Sequence, residues 1–167
     1  DLRKAMEDSL DTSLLARNLE GVIIYVNPAF CRMVGWSAAE LIGRRPPMPY
    51  WADDYLDETR LVHDRVLAGE GPEEGFELKL KRRNGDLIDV LIHEAPLIDP
   101  HGQHSGWMGS MVDITERKQA EERARQQQNS LQTTARLVAM GEMASSIAHE
   151  LNQPLAAISS YCTGAAN

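Results

Sequence analysis

After Thr115 the chain changes character: from Glu116 to Gln132 there is no Gly, Pro or aromatic residue, and Glu, Arg, Gln and Ala dominate. Such a run favours helix at every position and has little apolar surface to bury, so it predicts a solvated helix. A packed core must therefore lie before it. The stretch up to Thr115 has the size of one domain of about 100 to 120 residues, enough to fold without metal or disulfide staples. Cys31 and Cys162 lie far apart and form no disulfide framework, which predicts two free thiols in a reducing, cytoplasmic setting. The balance of 25 Asp and Glu against 17 Lys and Arg, a formal charge of −8, argues against nucleic-acid binding. The longest apolar run, Gly21 to Val26, falls far short of the roughly 20 residues that span a bilayer, and no secretion signal opens the chain. Because it starts at Asp1 and stops at Asn167 inside an apolar periodic pattern, the chain reads as a piece of a longer protein. A membrane anchor upstream is left open.

Leu2, Met6, Leu10 and Leu14, spaced by four among charged residues, predict an amphipathic helix at the N-terminus, assigned to 1–12. Leu15 to Val26 then reads as a hairpin turning at Asn18-Leu19-Glu20-Gly21. Asn27-Pro28 supplies a cap and a first helical residue, Ser37 and Glu40 have capping-box spacing, and Gly43 is placed to end that second short helix. The Pro-rich loop Arg44 to Pro49 is not helical; Asp57 to Leu67 is, with Leu56, Val62, Val66 and Leu67 on one broad face. Phe76, Leu78 and Leu80 alternate with polar residues as in a half-buried strand, and Asn84-Gly85 is the preferred two-residue hairpin turn. Leu87 to Pro96 is the return strand, Asp99 to Gly102 another turn, and Ser105 to Ile114 a third strand. These readings make residues 13–115 an α+β domain: two strands, short helices, then an antiparallel three-strand meander.

The linker 116–138 has a thin seam, Ala120, Ala124, Leu131 and Val138, with Gln127 and Thr134 where a stable coiled coil has Leu. From residue 139 the stripe strengthens. At about 100° per residue, Leu137, Met140, Ala144, Ile147, Leu151 and Leu155 fall within a sector of roughly 80°. His149 lies about 160° from the middle of that stripe, beside small and polar residues. A zinc site would need a second His four residues on, and position 153 is Gln. No metal site is implied. A plain surface histidine and a nucleophile are the remaining readings. Neutral imidazole attacks phosphoryl groups near pH 7, and the neighbouring acid Glu150 can hold one ring N–H while the other nitrogen presents its lone pair. Pro154 has no N–H for the Glu150 carbonyl, which bends a helix at a cost of about 3 kcal/mol.

His149-Glu150-Leu151-Asn152-Gln153-Pro154-Leu155, preceded by Met140-Gly141-Glu142-Met143-Ala144, resembles the H-box of sensor histidine kinases of the FixL type. The preceding domain resembles a PAS domain. Gly21 to Phe30, Gly35-Trp36-Ser37 and Glu40 to Gly43 match the family's opening, and Arg83-Asn84-Gly85 and Asp113 to Lys118 its close. The resemblance implies a five-stranded PAS fold, a coiled-coil connector and, over 139–167, the first helix of a dimerisation and phosphotransfer module. It implies His149 as acceptor of the γ-phosphoryl group of ATP and Glu150 as the acid beside it. The family's phosphatase activity relies on Thr or Asn four residues after the histidine; Gln153 stands there. It also implies a separate ATP-binding domain, a response-regulator partner and a homodimer. No phosphate-cradling stretch for ATP occurs before Asn167, so this chain alone should not autophosphorylate. The rival is a non-enzymatic PAS and coiled-coil module that acts through dimer geometry and has no need of His149, Glu150 and Pro154 together.

The sequence leaves the PAS ligand open. A flavin photoreceptor would carry a reactive Cys in an Asn-Cys-Arg-Phe stretch, which is missing before Glu73. Haem is implied by the FixL resemblance, and His63 lies on the apolar side of its helix. Counted back from the Arg83-Asn84-Gly85 turn, however, the ligand position falls nearer Thr59, so His63 reads as a core histidine and haem is disfavoured. His101 and His104 read as solvated. Trp36, Trp51 and Trp107 with Met33, Met108 and Met111 read as core rather than pocket. The stripe residues carry roughly 10 kcal/mol of apolar burial that a lone helix leaves in water, which predicts the homodimer. The linker and H-box seams belong to different registers that meet between Val138 and Gly141, a candidate bistable element.

Overall fold

The computed structural model describes residues 12–164, with side chains described as far as Cys162. The elements are β1 (Ser13–Asn18), β2 (Ile23–Val26), α1 (Pro28–Val34), α2 (Ala38–Leu41), a 3-10 turn (Asp53–Tyr55), α3 (Leu56–Leu67), β3 (Phe76–Lys81), β4 (Leu87–Ile98), β5 (His104–Asp113) and α4 (Thr115–Gly164). The helix expected over 1–12 lies outside the described residues but for its last, Thr12, which is in a bend. Leu14, the last member of that four-residue pattern, is in β1, where pairing with Ser110 holds it extended.

The five strands form one antiparallel sheet in the order β2-β1-β5-β4-β3. The β1–β2 hairpin turns at Gly21, whose φ of 78° is the left-handed conformation a side chain resists. Asn27 caps α1: its Oδ1 accepts from Phe30 N and from Leu14 N, each at 2.9 Å, so one buried side chain starts the helix and ties it to β1. The Ser37–Glu40 capping box forms. Its helix ends at Leu41, two residues before Gly43.

The β3–β4 turn differs from the two-residue form expected. Arg82 N donates to Asp86 O, leaving Arg83, Asn84 and Gly85 as a three-residue loop, and Gly85 alone takes positive φ, at 95°. A two-residue type I′ turn needs positive φ at both central positions. Asn84 instead stays at negative φ and accepts the Asp86 N–H on Oδ1, so a side chain does what the tighter turn would have done with backbone.

The core lies where α1, α2 and α3 meet the sheet; Leu15, Ile23, Phe30, Leu41, Leu80 and Val90 are completely or almost completely buried. Each such side chain contributes about 1.5–3 kcal/mol of burial. Trp51 bridges to Leu80, and Lys81 N donates to Tyr50 O, which fixes the end of the Pro-rich loop on β3. Helix α3 buries Thr59, His63 and Val66, while Leu61 is exposed. Its inward stripe is thus more polar than the expected Leu56, Val62, Val66 and Leu67 face, of which only Val66 is fully buried. The chain divides into two compact units between Lys118 and Gln119. Helix α4 opens in the first and makes up the described part of the second, running without interruption through Pro154.

Candidate functional site

Strand alternation and helical spacing bring four polar side chains into the core. On β4, Ile88, Val90 and Ile92 face inward, and Glu94 continues the same face two residues on. On β1, Arg17 follows Leu15 in the same way. Thr59 and His63 stand one helical turn apart on α3. Arg17 Nη2 donates to Glu94 Oε1 across β5, with side-chain exposures of 6% and 7%. Gly109 is the β5 residue paired with both Leu15 and Glu94, and a Cβ there would lie 3.1 Å from Glu94 Oε1. Its missing side chain is the space the ion pair uses.

These residues wall a cavity of about 40 Å³, whose remaining lining includes Leu15, Trp51, Leu80 and Met111. Of the six Trp and Met residues read as core, Trp51 and Met111 reach the cavity. The ring of Trp51 meets His63 edge-on at 5.4 Å. Burial raises the Glu94 carboxyl above the ordinary carboxylate range, against the pull of the Arg17 cation. Burial, and then Arg17, lowers the His63 imidazole, opposed by Asp64, whose Oδ1 is 3.4 Å from Nδ1. Burial also drives the Tyr50 phenol upward. Of the six buried side-chain atoms without a hydrogen-bond partner among the described residues, four belong to this wall: Arg17 Nε, Thr59 Oγ1, His63 Nε2 and Glu94 Oε2; the others are Trp36 Nε1 and Trp107 Nε1. The space matches roughly three water-sized spheres, so the residues as arranged do not fit haem. Among the described residues no group of three or more His, Cys, Asp and Glu could hold a metal ion. His101 and His104 are exposed, and His104 is the first residue of β5, its ring bonded to Gly106 O at 2.8 Å.

Sequence reading passed over Arg17 and Glu94. The signal was present: a charge on the apolar side of an alternating strand, Ile88-x-Val90-x-Ile92-x-Glu94.

His149, Glu150, Gln153 and Pro154 all lie on α4 and are exposed. The side chain that reaches the imidazole is Gln153, whose Nε2 is 3.3 Å from His149 Nε2. Residues four apart share a helical face, whereas the adjacent Glu150 points about 100° away. Ile147, Leu151 and Leu155 are 54%, 60% and 61% exposed in the single chain. No helix among the described residues is long and apolar enough to cross a membrane.

The PAS fold family matches residues 1–114. The chain belongs to the PAS family. Among curated proteins, this PAS domain and its helix are similar to the C4-dicarboxylate transport sensor protein DctS of Rhodobacter capsulatus, 53% identical over 165 residues, covering 99% of the chain and 25% of that protein. Sensor protein FixL of Bradyrhizobium diazoefficiens is 36% identical over 150 residues, covering 86% of the chain and 28% of the relative. Sporulation kinase C of Bacillus subtilis is 28% identical, covering 92% and 36%. The chain thus spans about a quarter to a third of the curated relatives it matches. Among solved structures, an RNA-binding light-oxygen-voltage receptor matches with a TM-score of 0.62 at 19% identity, covering 77% of this chain and 36% of that one. A sensory box histidine kinase/response regulator from Burkholderia thailandensis matches at 0.56 and 19% identity, covering 79% and 98%. At that identity these share the PAS fold.

Proposed function

We propose that this chain is the sensory and phosphoacceptor part of a two-component sensor histidine kinase, working in the cytoplasm as a homodimer through its linker and H-box helices. The observation that carries the reading is the extent of the likeness to a sensor protein: 53% identity over 165 residues runs through the His149 segment as well as the PAS domain. His149 takes the γ-phosphoryl group of ATP held by the kinase's separate ATP-binding domain and passes it to an Asp of a response regulator. The imidazole supplies the attacking lone pair, and Glu150 takes up the ring proton as the new N–P bond forms and the bond to ADP breaks. Gln153, on the ring's own helical face, occupies the place from which a water would be directed at phosphohistidine, so it governs any phosphatase step.

The test mixes the chain with the ATP-binding domain of a related kinase and labelled ATP. Acid-labile phosphate is expected on the wild type and absent from His149→Gln, with Glu150→Gln slowing transfer by about 10²-fold or more. Labelling that survives His149→Gln refutes the assignment.

A further inference from the structure

We propose that the interior cavity of the PAS domain binds a small uncharged molecule through a carboxamide edge, one C=O acceptor beside an NH2 group with two N–H donors. This goes beyond the phosphotransfer reading and does not depend on it.

Buried polar atoms are almost always paired, and an unmet one costs about 1–3 kcal/mol. Four such atoms belong to residues that line one cavity: Arg17 Nε, Thr59 Oγ1, His63 Nε2 and Glu94 Oε2. Their residues are at least nine-tenths buried: Arg17 at 5%, Thr59 at 1% and His63 at 7% exposure, and the Glu94 side chain at 7%. The demand is specific. Arg17 Nε can only donate, and the Glu94 carboxylate oxygen accepts. With Asp64 Oδ1 beside Nδ1, the neutral His63 ring leaves Nε2 as an acceptor. Thr59 does either. A primary amide meets this set with its C=O accepting from Arg17 Nε and the Thr59 hydroxyl and its two N–H groups on Glu94 and His63.

Charge narrows the class further. Arg17 and Glu94 neutralise each other. An added carboxylate would meet Glu94, and an added ammonium Arg17, each without a further counter-ion in the wall. Apolar lining such as Leu15, Leu80 and Met111 suits a short alkyl remainder. The volume of about 40 Å³ equals roughly three water-sized spheres, the scale of a molecule of a few heavy atoms. Three separate waters would each want two to four polar partners. Four protein atoms shared among them serve that less well than one molecule carrying its acceptor and donors on a fixed frame.

The test titrates the whole 167-residue chain with propionamide, sodium propionate and propylammonium chloride, following amide NMR shifts at 59–66 and the Trp51 indole, together with Tm. Propionamide is expected to give saturable shifts and raise Tm, and the two ions to do neither. Thr59→Val, which keeps side-chain shape, is expected to weaken propionamide binding at least fivefold, and Glu94→Gln and Arg17→Met more. If either buried-pair variant fails to fold, the probe selectivity and Thr59→Val decide. Propionate binding as tightly as propionamide, no saturable shift with propionamide, or unchanged binding in Thr59→Val overturns the proposal. Because no phosphate is measured, this outcome is separate from that of the His149 experiment.

Discussion

His63 shows how much one buried ring can impose on a small domain. Burial and the Arg17 cation hold its imidazole below the ordinary 6.5, so the folded state refuses a proton that the unfolded chain accepts. The unfolded state then binds more protons, and stability rises with pH between the folded pKa and 6.5. Acidification below about pH 6.5 is therefore expected to destabilise the PAS domain, with a limiting slope of about 1.4 kcal/mol per pH unit. Glu94 works with the opposite sign: its carboxyl is raised above 4.5, so the stability linked to it falls as pH climbs through that region. The two slopes oppose each other where they overlap, so the informative quantity is a difference between proteins. Urea midpoints of wild type and His63→Gln should agree near pH 7.5 and diverge toward pH 5, with the variant flatter. Parallel curves would show that His63 does not titrate with folding.

At the scale of elements, the join between the sheet and α4 is held by a small polar knot. Asp113 Oδ1 accepts from Thr115 N at 2.9 Å and from Thr115 Oγ1, and Thr115 Oγ1 in turn accepts from Asp89 N at 2.9 Å. Ile114 N donates to Asp89 O, and Lys118 reaches Glu77 and Asp89. One hydroxyl thus ties the first turn of the helix to β4. Thr115→Val keeps the shape and leaves the Asp89 N–H without its acceptor, a loss of about 1–2 kcal/mol. Hydrogen exchange at Asp89 and Ile114 should speed up well beyond that of Val90; equal protection in variant and wild type would show that the knot carries no coupling. Most of these elements were legible beforehand, because alternation in Phe76 to Lys81, the Asn27-Pro28 cap and the Ser37–Glu40 box are local signals with local causes. The misses share another origin. The β3–β4 loop type rested on which backbone atoms pair across the strands, and the cavity on a carboxylate crossing a glycine from β4 to β1. Those contacts join residues up to 77 positions apart, beyond any window of periodicity.

For the molecule as a whole, the question is what a change in the PAS domain can do at His149. Ile114 and His149 are 35 residues apart, five heptads, and α4 is helical over that whole distance. Its outward apolar residues, including Leu137, Met140, Ile147 and Leu151, are more than half exposed in the single chain, which leaves them for the partner helix of the proposed homodimer. The weak linker seam at Leu131 and Val138 does not continue in phase into the stronger seam at Leu137, Met140 and Ala144. The change of phase falls beside Gly141, where nothing lies within 4 Å of the missing Cβ. If this handover is the element that sensing biases, output depends on helical phase more than on length. Removing one residue between Val138 and Gly141 rotates everything after it by about 100° and takes the apolar stripe off the partner helix. Removing seven residues from the linker turns the seam by only about 20° and keeps it paired. In the full-length protein, if it is the kinase proposed above, the one-residue deletion is expected to lock output high or low irrespective of signal, and the seven-residue deletion to keep it responsive. Unchanged output after the first, with output abolished by the second, would mean that spacing and not rotation carries the signal along α4.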